Sequence, residues 1–239
     1  MEPNHGLHIV VTGSTKGIGK AICDIFAPFC HSLYINSRNE DELSHQAKSL
    51  TKQYPDLTVI YSRADFSNPD EVSNFAELIL SKTATIDILV NNAGIFYPGS
   101  VVGEAEGNLR KMMEVNLFSA YDLTRLLLPA LRISHCPHIF NMCSIASIIA
   151  YPNGGSYSIS KFALYGMTKC LRAELIPEKI KVTAILPGAT WSDSWAGIDL
   201  PEERLMQADD IAKSIFYAAS LSPSANVEEI LIRPIEGDL

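Results

Sequence analysis

The 239-residue chain has no apolar run approaching the ~18 residues that a membrane-crossing helix requires. It has no cysteine pattern either. Cys23, Cys30, Cys136, Cys143 and Cys170 are scattered and odd in number, which speaks against a disulfide framework and for reduced thiols in a cytoplasmic protein. Positive charge is scarce: 19 Lys and Arg against 27 Asp and Glu leave a formal net charge of −8. That field repels nucleic acid and anionic membranes, so neither is an expected partner. The histidines, His135 and His138 among them, have no partner spacing, and no metal site is expected. The opening Met1-Glu2-Pro3-Asn4-His5-Gly6 lacks the basic end and apolar run of a secretion signal. Internal repeats, low-complexity tracts and Ser/Gly/Pro-rich linkers are missing too, so residues 1–239 are expected to form a single domain.

What the chain does have is alternation. Short β-branched or apolar runs at residues 7–11, 33–35, 57–61, 86–90, 138–142, 181–185 and 229–232 read as strands. Helical stretches at 17–29, 40–53, 69–82, 105–132, 156–175 and 208–220 separate them. Nearly continuous apolar strands alternating with helices predict an α/β domain, doubly wound, its parallel sheet of about seven strands covered on both faces. Ligands of such sheets bind beyond the carboxyl ends of the strands, where strand order reverses. The segments just after each strand are therefore the ones to read.

The first strand runs into Thr12-Gly13-Ser14-Thr15-Lys16-Gly17-Ile18-Gly19. Glycines allow a tight turn and a close backbone approach, and the following helix aims its free N–H groups at an anion. The turn reads as a phosphate cradle, or as one that needs glycine for packing alone. After the second strand, Ser37-Arg38 stands where an NAD-binding fold has an acid for the ribose 2′-hydroxyl. The missing acid, with Arg38 and Lys16 near the same point, favours NADP(H); alone, Arg38 could be a solvated helix start. Asp65-Phe66 offers a carboxylate and an apolar neighbour for an adenine, or Asp65 caps the next helix. Asn91-Asn92-Ala93-Gly94 lets the backbone pass close to a sugar, or satisfies buried strand ends. Ser144 places a hydroxyl beside a reacting carbonyl, and Pro187-Gly188-Ala189-Thr190 turns the chain over the same edge.

Tyr157 and Lys161, four residues apart, share one helical face. A phenol titrates near ~10, and a neighbouring ammonium is expected to lower it toward the range of acid–base catalysis. Taken alone the pair reads more readily as an amphipathic turn with a buried Tyr and an exposed Lys.

In this order and spacing, Thr12-Gly13-x-x-x-Gly17-Ile18-Gly19, Asp65, Asn91-Asn92-Ala93-Gly94, Asn116, Ser144, Tyr157-x-x-x-Lys161 and Pro187-Gly188 resemble the classical short-chain dehydrogenase/reductase family over nearly the whole chain. The resemblance implies an NAD(P)-dependent oxidoreductase on one Rossmann-type domain, a homodimer or homotetramer. It implies Tyr157 as general acid/base and Ser144 as the group that hydrogen-bonds the substrate oxygen. Lys161 would bind the nicotinamide ribose and lower the Tyr157 pKa, and Asn116 would hold a water linking Lys161 to solvent. Cys143 and Ser192 depart from residues common in relatives. The ending, from Val227 to Leu239, is similar to bacterial sepiapterin-reductase-like members.

A substrate loop at about 188–207, with Trp191 and Trp195, together with Phe96, Ile145 and Tyr151, is expected to wall the site. Aromatics there suit a small carbonyl or alcohol substrate, though a loop Trp equally anchors a lid. Two other readings stand beside a carbonyl reductase. One is a 3-oxoacyl-carrier-protein reductase, for which Arg125, Arg132 and Arg172 would need to gather on one surface. The other is a catalytically silent NADP(H)-binding sensor, against which Ser144, Tyr157 and Lys161 count.

Overall fold

The computed structural model describes residues 6–191 and 200–238. The strands are β1 (Leu7–Val11), β2 (Cys30–Ser37), β3 (Thr58–Arg63), β4 (Ile88–Asn91), β5 (His138–Met142), β6 (Lys181–Pro187) and β7 (Glu229–Ile232). They form one seven-stranded parallel sheet in the order β3-β2-β1-β4-β5-β6-β7. Strand order reverses at β1 and β4, so the crevice beyond their carboxyl ends is where a ligand is expected. The helices are α1 (Gly17–Phe26), α2 (Glu40–Gln53), α3 (Pro69–Leu80), α4 (Asn108–Met113), α5 (Ser119–Leu131), α6 (Gly155–Leu175) and α7 (Ala208–Ser220).

The strands look unpatterned in sequence because both faces are buried. Ile9 and Val11 join one core with Ile22, Phe26, Leu43 and Ile211 from α1, α2 and α7. Val10, between them, points to the other core with Phe75, Ile79, Leu123 and Leu127 from α3 and α5. The period-2 alternation of a strand thus feeds two apolar layers at once.

Local chemistry sets the helix starts. The Asn39 side chain accepts from the backbone N–H groups of Asp41 and Glu42, and Asn68 accepts from that of Asp70 ahead of Pro69. Such caps are worth about 1 kcal/mol each. The stretch expected as one helix over 105–132 is instead α4, a π-helical turn over Glu114–Phe118, and α5. The strand expected to begin at Leu33 begins at Cys30, following a 3₁₀ turn over Ala27–Phe29. Among the described residues no helix is long and apolar enough to cross a membrane.

Candidate active site

The β1–α1 turn is built around two close approaches. Gly13 has φ +63°, the left-handed region, and its N–H donates to Asn36 Oδ1 (3.1 Å). A Cβ on Gly19 would collide with Gly13 O and the Asn92 side-chain amide. That amide donates to Thr12 O (2.8 Å) and Gly13 O (3.0 Å), while the Thr12 hydroxyl accepts from the backbone of Asn92 and Ala93 (2.9 Å each). The ends of β1 and β4 are thereby locked together, and α1 starts at Gly17 with its N–H groups facing the crevice.

The other residues expected around a dinucleotide divide. Ser14 is buried, and its hydroxyl lies 3.2 Å from Gln46 Oε1, so it braces the turn against α2. Thr15 donates to Glu42 (3.0 Å) and Lys16 pairs with the same carboxylate (3.2 Å). Nothing in the sequence placed Glu42 there. Ser37 hydrogen-bonds Asn39 at the start of α2, and Arg38 is exposed beyond β2. Asp65 is not the cap of α3, which is Asn68. Its Oδ1 accepts from Ser67 N (2.9 Å) and Ser67 Oγ (2.8 Å). Those bonds, led by the backbone one, hold its carboxyl below the usual range, and Arg38 adds a smaller contribution. Phe66 is 5% exposed, and its ring packs near Phe75 in the core.

A cleft of about 800 Å³ runs from Gly13, Gly17, Ile18 and Gly19 past Asn92, Ala93 and Gly94 to Ser144, Tyr157 and Lys161. Pro187, Gly188 and Thr190 close it on one side, and Phe96, Ile145, Ile149 and Tyr151 on another. Ser144 follows β5 and caps the short 3₁₀ turn over Ile145–Ser147, its Oγ accepting from Ala146 N (3.1 Å). Asn153, at φ +62°, turns the chain into α6, whose first two turns carry Tyr157 and Lys161. The Tyr157 hydroxyl faces the Ser144 side chain, and the Phe96 ring stands edge-on to the phenol at 5.0 Å. Lys161 Nζ lies 5.7 Å from the centre of that ring and donates to Met142 O (2.7 Å).

The electrostatics reverse one expectation. The Tyr157 phenol is pushed up to about 12, not lowered; burial outweighs its bond to Ser144. Burial also presses the Lys161 ammonium down to about 8. Both groups have lost water, and each favours its neutral form.

Asn116 is buried beside Lys161 and the start of α6. It lies in the π-helical turn, and its side chain is fully engaged. Oδ1 accepts from Ile95 N (2.8 Å), while Nδ2 donates to Ile95 O (3.0 Å) and Ser160 Oγ (2.9 Å). The amide ties the segment after β4 to the catalytic-side face of α6. The sequence also did not signal Glu104, which hydrogen-bonds the Ser156 hydroxyl and latches the 98–107 loop to α6 beside the Gly99–Gly154 bridge. Arg233 and Asp238 line the cleft as well. The Gly237-Asp238 pair is visible in the sequence, but nothing there says where it folds.

Trp191 donates its backbone N–H to Met206 O (2.9 Å) at the base of the 188–207 loop and does not line the cleft. Trp195 and Ser192 lie outside the described residues. The three arginines do not gather: Arg125 reaches Tyr121, Arg132 clasps Glu178, and Arg172 is buried against Val182 O and Glu228.

Three comparisons bear on this arrangement. The short chain dehydrogenase family profile matches residues 7–202. Over 240 residues the chain is 31% identical to a sepiapterin reductase of Chlorobaculum tepidum, covering 97% of each. An alcohol dehydrogenase from the archaeon Thermococcus sibiricus, solved with 5-hydroxy-NADP, superposes with a TM-score of 0.88 at 26% identity, covering 98% of this chain and 99% of that one. L-Sorbose reductase from Gluconobacter frateurii, solved with NADPH and L-sorbose, superposes at 0.87 and 26% identity, covering 97% of each.

Proposed function

The chain belongs to the short chain dehydrogenase family, and we propose that within it the protein reduces a small ketone or aldehyde with NADPH, or oxidises the matching alcohol. It is an oxidoreductase of the short-chain type that uses NADP(H). One domain serves for both cofactor and substrate, with 188–207 as its substrate loop. The observation that carries the reading is the Ser144 and Tyr157 side chains together beside buried Lys161, at the end of a cleft that begins on a glycine turn.

The chain's residues fit the cofactor: Gly13 and Gly19, where a Cβ would meet Ala93 and Gly13 O, let the turn fold tightly against β4, and α1 directs its N–H groups from that turn into the cleft, where a phosphate would sit. Gly13 to Gly19, Asn92 to Gly94, Lys161 and the 187–190 turn would hold the dinucleotide. Arg38 would take the 2′-phosphate, since Lys16 already shares Glu42. When bound, the cofactor supplies a hydride to the carbonyl carbon. Tyr157 gives its proton to the carbonyl oxygen as charge develops there, and Ser144 stabilises that charge. The positive Lys161 lowers the cost of the phenolate left behind. Asn116 keeps α6 and the Ile95 segment in register. Phe96, Ile145 and Tyr151 shape the substrate pocket, with Trp191 and Trp195 in the loop beyond. The dispersed arginines remove the main support for a carrier-bound substrate.

The test is NADPH absorbance followed across ketones, diketones, pterins and acyl thioesters, with direct titration of both dinucleotides. We expect turnover with at least one small carbonyl. Tight NADPH binding with no turnover anywhere would leave a silent sensor. Arg38→Ala is expected to weaken NADPH by ~10- to 100-fold, the scale of one guanidinium–phosphate contact, and to leave NADH nearly unchanged. Equal loss for both would remove Arg38 from the site.

The protein is proposed to work in the cytoplasm as a homodimer or homotetramer. Leu109, Phe118, Tyr121 and Leu126 of the α4–α5 run and Ile159 and Phe162 of α6 are exposed apolar side chains that a second copy would cover. Sedimentation as a monomer at micromolar concentration would reject this.

A further inference from the structure

The wall of the cleft at Pro187–Thr190 is held from outside by the segment that follows β7. Gly188 N donates to Ile232 O (2.8 Å), carrying the β6–β7 pairing one step beyond the strands. The chain then reverses: Gly237 N donates to Pro234 O (2.9 Å), with Gly237 at φ +83°. This brings Asp238 back over the turn. Its Oδ1 accepts from Ala189 N (3.0 Å) and its Oδ2 from Arg233 Nε (2.7 Å). Arg204 donates to Gly237 O (2.9 Å) and pairs with Glu236 (3.4 Å). Two residues on, Met206 N donates to Ala189 O (3.2 Å), and Trp191 N to Met206 O (2.9 Å). Three segments far apart in sequence therefore meet around one backbone turn.

Gly188 is part of the same device. Its φ lies outside the left-handed region, so its conformation does not require glycine. Space does: a Cβ there would collide with Asp238 Oδ1 and come within 3.1 Å of Pro234 Cδ. The missing side chain makes room for a carboxylate.

We propose that Asp238 is a positioning residue: its carboxylate, seated in the space Gly188 leaves open and oriented by Arg233, sets the Gly188–Thr190 backbone for dinucleotide binding. The proposal rests on the reading of this cleft as the NADP(H) site. Without Asp238, the Ala189 N–H loses its acceptor, and among the described residues the turn keeps its bonds to Ile232 and Met206 and its own Thr190–Gly188 bond. A charge-assisted hydrogen bond on a backbone N–H is among the stronger polar contacts.

The test titrates NADPH by its fluorescence against the wild-type chain, Asp238→Ala, Asp238→Asn, Gly188→Ala and the double variant Gly188→Ala/Asp238→Ala. Each is measured well below its own melting temperature. Asp238→Ala is expected to raise the NADPH Kd about tenfold, the scale of one charge-assisted hydrogen bond. Asp238→Asn keeps an acceptor for Ala189 and is expected to stay within about threefold of wild type. A purely structural role would lower melting temperature and leave these Kd values alone. Gly188→Ala displaces the carboxylate, so alone it should cost at least as much as Asp238→Ala and should add little on top of it. An unchanged Kd in Asp238→Ala, or effects that multiply fully in the double variant, would overturn the proposal. Should Asp238→Ala fail to fold, a Kd for Gly188→Ala equal to wild type would overturn it instead. Failure of the wild-type chain to bind NADPH would overturn the cofactor reading, a separate result.

Discussion

Tyr157→Phe is expected to lower turnover by about 10³-fold while leaving the NADPH Kd within roughly threefold of wild type, since general acid catalysis contributes about 10²–10⁴. The variant removes one oxygen from a ring that keeps its edge contact with Phe96. It deletes the proton donor and the partner of Ser144 together. With the phenol pushed up to about 12, the proton is present throughout the neutral range, so Tyr157 itself imposes no fall in reduction below about pH 10. Oxidation of an alcohol needs the phenolate and should speed up as pH rises. Steady-state rates in both directions, beside a cofactor titration, check this. Near-normal turnover in Tyr157→Phe would mean that another group supplies the proton.

Lys161→Met should be nearly as damaging to turnover, by about 10²–10³, without a matching loss of stability. The ammonium is held down to about 8 by burial, against an ordinary lysine near 10.5. The folded chain therefore binds fewer protons than the unfolded chain between these values. Stability from this group rises with pH across that window, and below about 8 the buried charge costs up to about 3 kcal/mol. Methionine removes that cost but leaves Met142 O without its donor, a loss of about 1–3 kcal/mol. The two nearly cancel, so denaturation midpoints at pH 7 should match or slightly exceed wild type. For catalysis the sign is opposite: kcat/KM for reduction is expected to fall as pH rises through about 8, where the charge beside the phenol is lost. That step should vanish in the variant. A step that persists in Lys161→Met belongs to a different group.

Much of this is legible in the sequence. Continuous apolar runs gave away strands buried on both faces, and β1, β5 and β7 lie at the expected residues because each is bounded by turn residues or a polar break. The strand over 30–37 shows only in part in the sequence, because Cys30-His31-Ser32 carry no run of apolar residues. Parallel pairing with β1, joined at Ser32 by β3, holds them. The π-helical turn is invisible to a 3.6-residue period. Its cause is tertiary: the Asn116 amide is drawn to Ile95 and Ser160.

In the site, residue types were readable and directions were not. Tyr157 and Lys161 share a face because helical spacing dictates it. The shift of the phenol turned on how much water each group loses, which no spacing reveals. Phe66 and Asp65 follow the same strand, yet one ring fell into the core and one carboxylate turned to Ser67. Glu42, Glu104 and Asp238 were missed for one reason: each acts on a segment distant in sequence, and a lone acid carries no address.

The reversal of strand order at β1 has a consequence for how the chain acquires its shape. Of the seven strands of this sheet, the first to leave the ribosome is also a central one, and its second neighbour, β4, is about eighty positions away, as Thr12 bonded to Val90 O shows. Until residue 91 emerges, β1 can zip only to β2, and one dry edge of it waits in water. Closure of such long loops delays long-range pairing and slows folding. The crevice that would seat the ligand is thus among the last parts to exist, and a chain interrupted before β4 would present a sticky ribbon with no pocket.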